Sequence, residues 1–211
     1  IEFDDEGHPT FTLIIDGEEK DRITLHSTGI HNVINSLSAI AVSVFLGIGL
    51  DTIKEGLLAC TSAKRRFEHK GVTENGVIII DDYAHHPTEI RVTLEAARQK
   101  YPNKKVIAVF LPNTYSRTEA LLDDFIDSLK VADKAYVMDI YCDRERLEDY
   151  PGVSSDNIIE CVPNAEKISV ETVKKLLKYK DAVICFMSCT NIYVILEKYE
   201  ELLKENQSIK L

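Results

Sequence analysis

The chain has 211 residues, 45% hydrophobic and 28% charged, with a formal net charge of -10, a composition that supports one well-buried domain and part of another. That acidic balance excludes broad contact with nucleic acid or an anionic membrane, because both reward clustered Lys and Arg, and no segment is apolar and long enough for membrane insertion. Cys60, Cys142, Cys161, Cys185 and Cys189 form an odd set without a CxxC pair, which argues against a disulfide framework or a zinc site and for reduced thiols in a cytoplasmic protein.

The sequence starts at Ile1 inside an already patterned stretch and reads as a piece of something longer. Residues 10–16 and 22–26 are β-rich runs, and Asp16-Gly17 between them supplies a hairpin turn. Residues 31–46 are small and apolar, the composition of a close-packed helix, which Gly47 ends. Asp51 stands at the N-cap position of a second helix reaching Cys60. The polar residues 61–64 are expected to be a hinge, dividing the chain into domains 1–63 and 64–211.

Beyond the hinge, residues 66–70 predict a strand, Glu74-Asn75-Gly76 a turn, and 77–80 a wholly apolar strand buried on both faces. Helices are expected at 87–100, 116–129, from Ser155, 170–179 and 191–203. Strands are expected at 105–110, 135–139 and 182–187, with a variable loop running through Pro151-Gly152. The fold class is therefore α/β, a Rossmann-like open and mainly parallel sheet with flanking helices, preceded by a β-hairpin and two helices.

In such a sheet, ligands bind beyond the carboxyl ends of the strands, where helix N-termini converge. Asp81-Asp82-Tyr83-Ala84-His85-His86-Pro87-Thr88-Glu89 concentrates two carboxylates, a Tyr and two imidazoles there. A carboxylate can accept from ribose hydroxyls or bind a hard cation; helix capping by Asp82 or His86 is the plain alternative. Lys64-Arg65-Arg66-Phe67 offers guanidinium forks for phosphate oxygens, or simple surface charge. Asn113, Ser116 and Arg117 follow the strand ending at Phe110, where Arg117 suits a ligand carboxylate and Ser116 a helix cap. His31, Asn32 and Asn35 follow Gly29; Asn both donates and accepts, as an adenine edge requires, yet also caps helices.

Together these segments resemble a Mur ligase. Gly29-x-His31-Asn32-x-x-Asn35 is similar to the end of that family's central ATP-binding domain, Arg65-Arg66-Phe67 to the entry of its C-terminal domain, and Asp82-Tyr83-Ala84-His85-x-Pro87 to that domain's signature. The doubled Asp81-Asp82 and His85-His86, Thr88-Glu89, Tyr115-Ser116-Arg117-Thr118 and residues 151–155 resemble the alanine-adding branch in particular. The resemblance makes residues 1–63 the remnant of the central domain and 64–211 the C-terminal domain.

It also implies ATP-driven amide synthesis. A muramoyl carboxylate of UDP-N-acetylmuramate is phosphorylated and then attacked by an amino acid, with ATP and Mg2+ as cofactors and the metal held mainly by a central domain missing here. Arg66 and Asp82 would be the catalytic pair, and His31, Asn32, Asn35, Arg66, Asp82 and His85 the nucleotide ligands. His86, Asn113, Ser116 and Arg117 would serve the substrate, with the rest of the ligase chain as partner. A GxxxxGK[ST] loop is absent from the sequence, so the fragment alone is expected to be inactive and to bind ATP weakly.

Two segments depart from the pattern: Leu111-Pro112-Asn113 stands where Gln-Pro-His is usual, and Ser188-Cys189-Thr190-Asn191 where Gly-Ala-Gly-Asp is usual. They leave open a degenerate relative acting as a binding or scaffold protein. Another alternative, a phosphoacceptor module using Asp139, lacks a Lys after the final strand.

Overall fold

In the computed structural model, which describes residues 1–60 and 63–208, Asp16 and Gly17 both take left-handed φ values, 54° and 81°, as a two-residue hairpin turn requires. They join β2 (Pro9–Ile15) to β3 (Glu18–Thr24), and β1 (Glu2–Phe3) pairs with the other edge of β2 in a three-stranded antiparallel sheet. Two helices follow, α1 (Ile30–Phe45) and α2 (Leu50–Ala59). Phe11, Leu13 and Ile23 from the strands and Leu25 just after β3 close a small core with Val33, Ile40 and Ile53 from the helices.

Two details differ from the sequence expectations. Asp51 lies in the first turn of α2 rather than at its cap, which is Gly49; its charge still favours the positive end of the helix. The helix α1 buries only Val33, Ser36 and Ile40, while Ile34, Leu37, Val42, Val44 and Phe45 are exposed. One stripe of the helix meets the core of this unit, and the residues around the rest of it do not. Gly47, at φ 76°, ends the helix with its N-H on the Val44 carbonyl at 2.9 Å, a position that favours glycine.

The chain divides into two compact units, Ile1–Ala63 with Glu95–Pro102, and Lys64–Leu94 with Asn103–Leu211. Of the expected hinge, Thr61 and Ser62 lie outside the described residues. From Lys64 onward the chain runs β4 (Glu68–Val72), β5 (Ile78–Asp82), α3 (Pro87–Lys100, counted with the first unit from Glu95), β6 (Lys105–Phe110), α4 (Tyr115–Ala120), α5 (Leu122–Leu129), β7 (Lys134–Val137), α6 (Ser155–Cys161), β8 (Ala165–Lys167), β9 (Ala182–Met187) and α7 (Tyr193–Ser208). Its six-stranded sheet has the order β4-β5-β9-β6-β7-β8. Only β4 is antiparallel to its neighbour, so the mainly parallel, Rossmann-like class holds.

Every residue of β5 and β9 is buried, as near-continuous apolar runs in a covered parallel sheet should be. On one face Ile79, Ile107, Val109, Ile184 and Phe186 pack with Ile192, Ile195, Leu196 and Tyr199. On the other, Phe110 meets Phe125 of α5 with ring centroids 5.5 Å apart. Each such side chain contributes about 1.5–3 kcal/mol when fully buried.

The structure corrects several boundaries. Leu121, at φ -120° and ψ 26°, breaks the expected helix 116–129 into α4 and α5. Residues Val173–Lys178 form a 3-10 helix instead of the longer helix expected there, and β8 is a short edge strand of sequence AEK that has no apolar pattern to reveal it. The strand expected at 77–80 is β5, which continues through Asp81 and Asp82. The two carboxylates are therefore strand residues, not loop residues.

Candidate nucleotide and substrate site

Parallel pairing brings Asp82, Met187 and Phe110 into one row at the carboxyl edge, because Met187 is in register with both of the others. The loops leaving these strands are stitched together. The Ser188 N-H donates to the Asp82 carbonyl at 3.2 Å and the Leu111 N-H to the Met187 carbonyl at 3.1 Å. The fully buried Ser188 hydroxyl donates to the Leu111 carbonyl at 2.9 Å and accepts the Thr190 N-H at 3.1 Å. Ser188, one of the departures from the family pattern, thus closes this edge.

Successive strand residues point to opposite faces, so Asp81 and Asp82 part company. Asp82, 6% exposed, accepts the Phe67 N-H at 2.7 Å on one carboxylate oxygen and the Ala84 N-H at 2.8 Å on the other. Burial pushes its pKa above the ordinary carboxylate value, opposed by these backbone donors, the Arg66 charge and Thr93. With Thr93 also bound to the carboxylate, the two backbone donors and this hydroxyl leave one lone pair for a further donor such as a ribose hydroxyl. Arg66 is exposed, its charge acts on both Asp82 and Glu89, and it immediately precedes Phe67, whose N-H is bound to Asp82.

The turn between β5 and α3 is held by Glu89. Its carboxylate accepts the His85 and His86 N-H groups at 3.0 and 3.1 Å, and the Thr88 N-H donates to Nδ1 of His86 at 3.3 Å. This is a reciprocal cap with histidine in the capping position, and Pro87 follows in the first helical turn, where it needs no donor. Although burial opposes it, the two backbone donors hold Glu89 below the ordinary glutamate range. The His85 ring has Nδ1 3.0 Å from the Tyr83 carbonyl and 3.2 Å from Glu89.

After β6, Asn113 and Ser116 are occupied within the chain. The Asn113 amide donates to the Tyr141 carbonyl at 3.3 Å. Glu145 accepts the Tyr115 and Ser116 N-H groups at 2.7 and 3.1 Å, and the Ser116 hydroxyl as well. The Ser116 hydroxyl, first among these donors, lowers the Glu145 pKa, opposed by burial. Arg117 reaches only the Asn113 carbonyl among these groups, at 3.3 Å; it is partly exposed and has donors to spare.

In the first unit, Asn32 donates its side-chain amide to the Thr28 carbonyl at 2.8 Å, and Asn35 is exposed. Gly29, at φ 92°, lies under the His31 ring; a Cβ there would come within 2.7 Å of the ring. Asp139, the alternative phosphoacceptor, is held by Lys167 at 2.6 Å and by the Ser155 hydroxyl at 3.3 Å. Among the described residues no three His, Cys, Asp or Glu side chains converge to hold a metal ion.

Sequence reasoning passed over Tyr193 and Glu145. Tyr193 donates its hydroxyl to Asp81 at 2.7 Å across 112 positions of sequence, and Glu145 lies in a loop without periodicity, 29 positions from Ser116. Neither stands in a local motif, so no signal short of the fold would have found them.

A parallel sheet with polar groups gathered on the carboxyl edge defines an open α/β ligand-binding domain. Residues 65–189 match the family described as Mur ligase, glutamate ligase domain, and the chain belongs to the Mur ligase family. It is 41% identical to UDP-N-acetylmuramate--L-alanine ligase of Lactobacillus johnsonii and 43% identical to that of Levilactobacillus brevis. Each match covers 92% of this chain and 43% of the relative. It also shares the fold of UDP-N-acetylmuramate-alanine ligase from Thermotoga maritima, with TM-score 0.76 and 24% identity over 95% of this chain and 44% of that one. The chain thus spans less than half the length of these relatives.

Proposed function

We propose that the chain is the C-terminal part of an ATP-dependent ligase that joins L-alanine to UDP-N-acetylmuramate in peptidoglycan synthesis. The observation that carries this reading is Asp82, a nearly buried carboxylate fastened to the Phe67 N-H beside Arg66, in a chain 41% identical over 92% of its length to ligases of that name. Residues 1–63 are then the end of a central ATP-binding domain and 64–211 the C-terminal domain.

In this reading Asp82 accepts a ribose hydroxyl on its remaining lone pair, and Arg66 neutralises phosphate charge. Phosphoryl transfer depends on such positioning and neutralisation more than on covalent help from the protein. His31, Asn32, Asn35 and His85 serve the nucleotide, and Arg117 offers its fork to the carboxylate of the incoming amino acid. His86, Asn113 and Ser116 shape the loops around that substrate through the bonds described above. The Mg2+ that accompanies ATP is held by parts of the ligase other than these residues.

The exposed apolar residues Ile34, Leu37, Val44 and Phe45 of α1 are where the rest of the ligase chain packs. No helix among the described residues is long and apolar enough to cross a membrane; the reading places the enzyme in the cytoplasm, with ATP and its nucleotide-linked substrate.

The test is to assay the full-length protein with ATP, UDP-N-acetylmuramate and a panel of amino acids. Product amide and ADP with L-alanine support the reading, and the 211-residue chain alone is expected to form none. No turnover with any amino acid would instead favour a degenerate relative kept as a binding or scaffold protein, the alternative raised by Asn113 and residues 188–191.

A further inference from the structure

Between β4 and the preceding residues the chain makes two left-handed turns around Arg66: Arg65 has φ 58° and Phe67 φ 52°. Non-glycine residues avoid this region, and such strain persists only where the surroundings over-determine it. Here they do. The Arg65 N-H donates to Glu68 at 2.8 Å, the Arg65 carbonyl accepts the Tyr83 N-H at 2.7 Å, and the Phe67 N-H donates to Asp82 at 2.7 Å.

The Arg65 side chain completes the attachment. Its Nη2 donates to the Ser188 carbonyl at 2.5 Å and, more weakly, to that of Thr190 at 3.4 Å. Its guanidinium carbon lies 5.1 Å from the Tyr83 ring centroid and 5.2 Å from that of Tyr193, on the scale of a cation-π sandwich. Its Nε is 3.5 Å from the fully buried Asp81 carboxylate, which the Tyr193 hydroxyl also approaches at 2.7 Å. Nε of Arg65 and Oδ1 of Asp81 find no hydrogen-bond partner among the described residues, so the hold rests on the carbonyl bonds, the two rings and net charge. A lysine would keep the charge but lose the fork.

We propose that Arg65 is a positioning residue for the ligase reaction: by clamping residues 65–68 to the carboxyl edge of the sheet, it fixes the backbone from which Arg66 extends next to the Phe67-Asp82 bond. The inference rests on the reading of Arg66 and Asp82 as nucleotide ligands. The Arg65 guanidinium is engaged by the two carbonyls, the two rings and Asp81; its effect passes through Arg66.

The experiment is a double-mutant cycle on the full-length protein, reading ATP affinity by calorimetry and the KM for ATP against kcat, with melting temperature as a control. Arg65→Met should weaken ATP binding by about tenfold, with a smaller effect for Arg65→Lys, while in an Arg66→Met background either change should add less than about twofold, because coupled residues are not additive. A factor that is the same in both backgrounds marks a merely structural role and overturns the inference. Unchanged ATP affinity in Arg65→Met, or in Arg66→Met, overturns it too. If Arg65→Met does not fold, the Arg65→Lys arm decides by the same criterion. A wild-type protein that binds no ATP overturns the functional reading and this inference together, whereas binding with additive losses overturns the inference alone.

Discussion

Arg65 and Asp81 face each other across 3.5 Å on the α7 side of β5, while the next strand residue, Asp82, turns to the α3 side and binds the Phe67 N-H. The alternation of β5 sorts two adjacent carboxylates onto two faces, and the turns at Arg65 and Phe67 carry the chain from a bond with the strand at Tyr83 to one with Asp82. The Arg65-Asp81 pair is buried in the fabric of the domain, whereas Arg66 is exposed.

Replacing Asp81 with leucine removes the acceptor of the Tyr193 hydroxyl and the counter-charge of Arg65. Burial, then the bond to Asp81, pushes the Tyr193 pKa up to about 12, so Tyr193 remains a donor throughout the neutral range. A loss of about 2–3 kcal/mol is expected in urea denaturation. The double variant Asp81→Leu/Arg65→Met should recover part of it, since no uncompensated charge remains. A single variant as stable as wild type would show that the pair adds nothing.

Asp82 gives a pH signature with a definite sign. Burial raises its pKa in the folded protein above the ordinary 3.8, so the folded state holds that proton more tightly than the unfolded chain does. Its contribution to stability is therefore greatest below the ordinary value and declines as pH rises through the folded one. The stability gap between wild type and Asp82→Asn should narrow on going from strongly acidic to neutral pH; denaturation curves at several pH values measure it. A gap that widens contradicts the assignment.

Glu89→Ala leaves the His85 and His86 N-H groups without the acceptor they share. About 1–2 kcal/mol should be lost, as for other N-cap deletions. Amide exchange at residues 85 and 86 should accelerate well beyond that of the middle of α3, and Glu89→Gln, which keeps an acceptor, should lie between the two proteins. Equal exchange in all three would remove Glu89 from the cap.

Glu145 pins the loop after β7 to Tyr115 and Ser116, and these donors hold its pKa below the ordinary 4.5. The anchor is fully present above that value and is lost as pH falls through the lower, folded one. Exchange at the Tyr115 and Ser116 amides should rise in that acidic window for wild type. In Glu145→Gln the step should be missing, because nothing there titrates. A step that persists in the variant must come from another group.

Local chemistry in the sequence already specified much of this protein. The left-handed pair Asp16-Gly17, the apolar runs of β5, β6 and β9, and the strand-helix alternation of residues 64–211 were legible because each depends on neighbours a few positions away. So was the cluster at residues 81–89, and with it the family. The tertiary structure decided what those residues face. Strand β5 runs through both aspartates because β4 and β9 pair with their backbones. Asp81 became a structural charge because Tyr193 and Arg65 arrive from distant segments, and Ser116 became an anchor because Glu145 does. The break at Leu121 and the polar strand β8 also lack any local pattern. Propensity and periodicity act over a turn of helix or a few strand residues, whereas hydrogen-bond partners and burial are set by whichever segments the fold brings alongside.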